Sequence, residues 1–333
     1  MKDKVLFIGY EWNLKRTASS VFFVDLLKQH FEVDIEFYTK ENYKKILKKC
    51  TNEYFAIFFF QITPKEIRKI KCKNVFLIPM YDDFHLTRNR VWMILKYKTI
   101  CFSKKLESDI KTVKYAQTFH IQYFPKPIDL SSSNKNLLFF WQRRDFTWSK
   151  LKQVLPSADK IKQELGIKKI IIHSVTDGFD EFEKPSEDDI RDYNIEITTW
   201  FKDKNEISNI LKKTKYYVAP REKEGIGFSF IDAMQNECIV IAHNDSTMNE
   251  YIVHGENGYL IDFKKPTKIN FLDDKKLSEN LKQINRNLST NYNNQIDYLI
   301  NFIKSPPLKQ NSIKKYIVYL SYILKQIKNK FFK

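Results

Sequence analysis

The sequence predicts an α/β protein built from two successive, doubly wound parallel sheets. Three observations carry that reading. Short apolar runs alternate with longer amphipathic stretches from Val5 to Phe124. One of these runs, residues 55–60, is apolar without interruption, as expected of a central parallel strand covered on both faces. Polar turn residues at 126–135 then interrupt the pattern, and a second series of apolar runs follows.

Taken in order, residues 5–8 read as a buried strand and 17–30 as a helix with Val21, Val24, Leu27 and Phe31 on one face. Residues 33–38 alternate like a second strand. After 55–60, Thr63 is placed to cap a helix, with Pro64 at its first position and Glu66 closing a capping box. Residues 75–78, 99–102 and 120–124 supply further strands. Beyond the linker the second series runs through 137–141, 169–175, 195–200, 216–219 and 239–242. The expected domains are 1–127 and 136–265, followed by a helical, lysine-rich segment at 266–333. Two such β/α series make two lobes with a cleft between them, and ligands in open parallel sheets bind beyond the carboxyl ends of the strands.

The 333 residues suffice for two ordinary cores, and 43% hydrophobic with 15% aromatic residues is a globular composition. Cys50, Cys72, Cys101 and Cys238 lie far apart, with no pairing that suggests zinc or a disulfide framework. A reducing, cytoplasmic setting is therefore expected. The start Met1-Lys2-Asp3-Lys4 leads into an apolar run too short for a secretory signal, and no stretch is long and apolar enough to span a membrane. Fifty-seven basic against 40 acidic side chains give a net charge of +17, which attracts polyanions. That charge is spread along helices with no nucleic-acid-binding motif, so no nucleic-acid partner is expected. Residues 305–333 hold seven lysines and no acid. In that tail Ile313, Ile317, Leu320, Leu324, Ile327 and Phe331 share one helical stripe, with Tyr316, Tyr319 and Tyr322 nearby. It reads either as a closing helix packed on the domains or as an interfacial helix on anionic lipid, peripheral to the inner face of a membrane.

The most informative stretch is residues 217–234. An apolar strand runs into Pro220, Arg221, Glu222, Lys223 and Glu224, then Gly225-Ile226-Gly227, then an amphipathic helix from Phe228. The glycines allow close backbone approach, and the helix start adds about half a positive charge of dipole, so the turn can hold a phosphate. Glu224 before the turn and Asp232 on the helix are placed to accept hydrogen bonds from sugar hydroxyls on either side. That combination suits a nucleotide-sugar. Arg221 either lines the same pocket or pairs with Glu224.

Glu224 to Asp232 resembles the E-x7-E element of the retaining glycosyltransferases with two Rossmann-like domains, the GT-B fold of the glycosyl transferases group 1 family. Residues 238–242 resemble that family's next buried strand, 249–252 its acidic step, and 255–260 its G-x-N-G-x-L turn. The resemblance covers about 195–262. It departs from the family in carrying Asp, one methylene shorter than Glu, at 232. It implies a transferase moving sugar from a nucleotide-diphosphate donor to a saccharide or lipid-linked acceptor of a surface glycan, with retention and no metal or other cofactor. It also assigns Arg143, which has Arg144 as a second candidate beside it, and Lys150 to the leaving diphosphate, beside amides of Gly225, Ile226, Gly227 and Phe228. Glu224 would hold the donor sugar and Asp232 the ribose. Asn249 and Glu250 either lie near the nucleotide or serve a helix start. In the first domain Asp82 and His85, after a central strand, are candidates for the acceptor and the reacting centre, the alternative for His85 being a structural role. Gly9 and Tyr10 stand where relatives carry paired glycines, with Arg16 a further candidate there. A non-catalytic binding protein of the same fold is the first competing reading, and a nucleic-acid-binding protein the second.

Overall fold

Two six-stranded sheets, each entirely parallel, organise the chain in a computed structural model. All residues are described except 1, 16, 64, 65, 68, 69, 129, 131–133, 144, 145, 176–182, 202, 273, 307–311, 332 and 333. The elements feeding the first sheet are β1 (Lys4–Gly9), α1 (Glu11–Lys15), α2 (Val21–His30), β2 (Glu32–Phe37), α3 (Tyr43–Lys49), β3 (Ala56–Phe60), β4 (Val75–Ile78), α4 (Arg88–Lys96), β5 (Lys98–Cys101), α5 (Lys104–Lys111) and β6 (Gln117–His120). The second sheet follows with β7 (Leu137–Gln142), α6 (Trp148–Val154), α7 (Ala158–Gln163), β8 (Lys169–Ser174), α8 (Glu187–Asp192), β9 (Ile195–Thr198), α9 (Lys204–Lys213), β10 (Thr214–Val218), α10 (Phe228–Gln235), β11 (Ile239–His243) and β12 (Gly258–Ile261). Helices α11 (Asp274–Lys304) and α12 (Ser312–Phe331) complete the chain. Residues 1–122 and 293–333 form one compact unit, and 123–292 the other.

In the first unit the strand order is β2-β1-β3-β4-β5-β6. The uninterrupted apolar run becomes β3, all five of its residues buried, and Phe58 stacks on Phe76 of β4 at 4.9 Å. The end of α11 closes this unit. Phe302 stacks on Phe119, and the buried Lys98 side chain donates to the carbonyl oxygens of Phe302 and Ser305. In the second unit the order is β12-β11-β10-β7-β8-β9, with Phe139 stacked on Tyr217 at 5.7 Å. Asn285 of α11 donates to the Met234 carbonyl of α10 at 2.6 Å. All four cysteines are buried and free.

Several local expectations change. The expected helix at 17–30 begins only at Val21, because Ala18 sits at φ 55°, which interrupts a helix. The helix expected after Thr63 falls largely outside the described residues. The Thr63 hydroxyl accepts from Arg90 Nε at 3.2 Å, and residues 66–67 are in 3₁₀ conformation, while Pro64 lies outside the described residues. The strand expected at 120–124 lies at Gln117–His120. Ile121 and Phe124 are buried, but the ladder to β5 ends at His120. The 255–260 turn continues into an edge strand, β12, that the sequence reading lacked. In the tail Ile313, Ile317 and Leu324 stand 59–65% exposed. The face that packs is Val318, Tyr319 and Tyr322, set against the core cluster to which Val91 and Ile94 of α4 and Leu106 and Ile110 of α5 belong. The side chains of Ile327 and Phe331 lie outside the described residues.

Candidate active site

Strand β7 leads to β8 and β9 on one side of the second sheet, and the chain then returns to β10 on the other. The crevice beyond the carboxyl ends of β7 and β10 is thus a topological switch point, where the loops on either side part and leave room for a ligand. The chain after β7 begins with Arg143, and the chain after β10 is the 219–227 turn. Both sets of donor-side candidates therefore leave the same edge of the sheet.

The turn is held from behind. Glu224 N donates to Ser246 O at 3.3 Å, and the Thr247 hydroxyl lies 3.4 Å from the carbonyl oxygens of both Glu224 and Ile226. Gly227 is the N-cap of α10, in the left-handed region at φ 86°, and its carbonyl accepts from Phe230 N and Ile231 N. The N–H groups of a helix's first turn lack intrahelical acceptors, so this start offers donors and a positive dipole end to an anion. Gly225 and Ile226 are buried beside it.

Glu224 and Asp232 both lie near enough to Tyr217 for their charges to act on it. Burial pushes the Tyr217 phenol upward, and the charges of Glu224 and Asp232 both add to that, while the Ser229 hydroxyl works the other way. Asp232 itself is accessible to solvent, yet the dense protein around it raises its pKa to about 6. Arg143 donates through Nη1 to Val175 O at 3.2 Å, and its guanidinium lies 5.3 Å from the Trp141 ring centroid. Arg144 lies outside the described residues. Lys150 is half-buried on α6, and Arg221 is half-buried within the turn.

Other candidates have visible structural work. Glu250 accepts from the Ser246 hydroxyl at 2.9 Å, and the exposed Asn249 reaches Asn244, so this loop braces the residues that pin the turn. Asn257, fully buried, donates to Tyr251 O at 3.0 Å and accepts from Val253 N at 2.7 Å. A Cβ on Gly258 would lie 2.6 Å from Val240 O, so only glycine lets β12 approach β11 there.

The sequence reading missed an aromatic cluster at the carboxyl ends of β7, β8 and β9. The His173 ring lies flat on Phe201 at 4.4 Å and 3°, edge-on to Trp141 at 5.2 Å, with Nδ1 at 3.0 Å from the Thr198 hydroxyl. Burial, then the nearby Arg143 charge, lowers the His173 pKa to about 4, so the imidazole is neutral at physiological pH. Trp200, 55% exposed, stands next in the chain to Phe201. The available signal was aromatics clustered at three successive strand ends.

Asp82 and His85 belong to the first unit, in the loop after β4. Arg90 organises that loop, another contribution that sequence reasoning missed. Its Nη1 donates to Asp83 O at 3.1 Å and His85 O at 3.3 Å, and its guanidinium sits 4.8 Å over the Phe84 ring. Asp82 is half-buried and His85 exposed. Tyr10, after β1, stacks on Trp12 at 5.9 Å, and burial and Asp83 raise its phenol pKa. Arg16 lies outside the described residues. Two sets of candidates result, one on each unit.

The family model described as glycosyl transferases group 1 matches residues 126–292. No curated protein matches the chain in sequence. Among solved structures it is similar to Anabaena HepE in complex with UDP-glucose, at 13% identity and TM-score 0.57, covering 90% of this chain and 99% of that one. It is also similar to sucrose-phosphate synthase from Thermosynechococcus elongatus, at 12% identity and TM-score 0.52, covering 99% of each. It spans 57% of the length of TarM, from S. aureus, and 78% of its own, at 15% identity and TM-score 0.49. At such identities the likeness speaks to the fold, two Rossmann-like α/β units of GT-B type.

Proposed function

Because the chain belongs to the glycosyl transferases group 1 family, we propose that it transfers a sugar from a nucleotide-diphosphate donor to a saccharide or lipid-linked acceptor. The observation that carries this reading is the placement at the second sheet's switch point: Arg143 follows β7, while Glu224, the Gly227 helix start and Asp232 follow the adjacent β10.

Bond cleavage at the sugar C1 leaves negative charge on the departing diphosphate. Fixed positive groups already aimed at that charge lower the barrier, because they need no reorganisation as it develops. Arg143 and the α10 amides fill this role, with Lys150 and Arg221 at the margin. Glu224 accepts from donor-sugar hydroxyls and fixes C1 toward the acceptor. Asp232 accepts from the ribose. Half-buried Trp141 and Phe201, backed by the buried neutral His173, supply flat apolar surface for a nucleobase. The acceptor attacks from the face the diphosphate leaves, a phosphate oxygen takes its proton, and the anomeric configuration is retained. HepE's UDP-glucose makes uridine diphosphate hexoses the first donors to try.

The test is donor hydrolysis and transfer across uridine, guanosine, adenosine, thymidine and cytidine diphosphate sugars, with Glu224→Gln alongside. Wild type is expected to turn over at least one donor, and Glu224→Gln to lose about a hundredfold in kcat with its thermal unfolding unchanged. Donor binding without turnover in both proteins would leave a binding module in place of the enzyme.

A further inference from the structure

We propose that α12 docks the first unit onto an anionic lipid surface, lying in the interface without crossing it. The helix carries two opposed apolar faces. One holds Val318, Tyr319 and Tyr322, which pack on α4 and α5, with the Tyr322 hydroxyl donating to Leu86 O. The other holds Ile313, Tyr316, Ile317, Leu320 and Leu324, at 65, 60, 59, 39 and 64% exposure. The spacing i, i+3, i+4, i+7, i+11 puts all five on a single helical stripe. A contiguous row of large apolar side chains facing water marks a surface that is covered in use.

The charge around the stripe selects the occupant. Between Ser305 and the end of the chain there are seven lysines and no acid. Exposed Lys314 and Lys325 flank the stripe, and Lys325 with Lys114 lines the groove between α12 and the end of α5. Next to that groove Tyr115 is 39% exposed, with the Lys114 amine 5.2 Å from its ring centroid. Tyrosine and lysine beside an apolar stripe suit the headgroup level of a bilayer, where the stem and ring bury and the polar tip stays wet. A protein partner of ordinary composition supplies no such uniform negative charge. No helix among the described residues is long and apolar enough to cross a membrane, so α12 lies on the surface.

The test is co-sedimentation with phosphatidylcholine vesicles and with vesicles containing phosphatidylglycerol, at low and high salt. The full chain is expected to sediment with the anionic vesicles and to be released by salt. The triple variant Ile317→Ser, Leu320→Ser, Leu324→Ser alters only exposed side chains and is expected to bind at least tenfold more weakly, with unchanged thermal unfolding. Lys314→Gln and Lys325→Gln are each expected to weaken binding about fivefold. Hydrolysis of a soluble donor, measured in parallel, should be unaffected in all three, which separates this inference from the reading of the second unit. Failure to sediment with anionic vesicles, or equal sedimentation of the triple variant, overturns the proposal. A concentration-dependent dimer that the triple variant abolishes, without vesicle binding, assigns the face to a second copy of the chain and also overturns it.

Discussion

Gly227 shows how little latitude remains where the turn meets α10. Besides its positive φ, a Cβ there would stand 1.9 Å from a ring carbon of Phe230. Gly227→Ala is expected to destabilise the second unit by about 2–4 kcal/mol, from the left-handed penalty and the displaced ring. Urea unfolding reads that loss, and donor-induced thermal stabilisation should disappear with it. Asp232 titrates near pH 6, as an acid below and a carboxylate above. A hydroxyl bound to it is held more strongly by the ionised form. Donor affinity should therefore fall about tenfold from about pH 7 to about pH 5, while Asp232→Asn gives a weak, flat profile by calorimetry. The spacing of Glu224, Gly227 and Asp232 was visible in the sequence because turn and helix are local. Arg90 and His173 were not. Their partners come from separate segments, Thr63 and Asp83 for one, Thr198 and Phe201 for the other.

Among the elements, the strands that announced themselves were those buried on both faces, β3 and β4, where apolar runs coincide with ladders. Where apolar side chains bury outside a ladder, as Ile121 and Phe124 do, the same signal misplaces the strand. In the tail the strongest apolar stripe faces solvent, while Val318, Tyr319 and Tyr322 do the packing. Lys98 illustrates a tie between elements that sequence does not show. From β5 its amine serves the last carbonyls of α11, a cation at the helix's negative end, and burial lowers its pKa to about 8. Lys98→Met leaves those carbonyls without their donor and is expected to cost about 2–4 kcal/mol in urea unfolding. Between about pH 8 and the ordinary 10.5 the unfolded chain binds this proton more readily than the folded one. Wild-type stability should therefore gain with rising pH in that window, and the variant should lack the gain.

For the whole molecule, the β/α alternation was enough to give two parallel sheets, but the route of the last helices was not readable. The first unit is discontinuous in sequence, because residues 293–333 return to it after the second unit is complete. Asn74, Lys98 and Phe119 all meet the end of α11, each through a contact local sequence cannot reveal. A chain ending at Tyr292 is expected to lose the cooperative unfolding of the first unit while retaining that of the second. Two transitions in calorimetry of the full chain, with the first one missing from the truncated chain, would bear this out.

The thiols make the two units self-reporting. Cys50, Cys72 and Cys101 lie in the first unit and Cys238 alone in the second, all buried, and burial raises every one above the usual thiol range. An alkylating reagent meets a reactive thiolate only when the surrounding core opens. A mass shift of one adduct would time the opening of the donor-side unit, and a shift of three that of its neighbour, from a single pulse on unmodified protein.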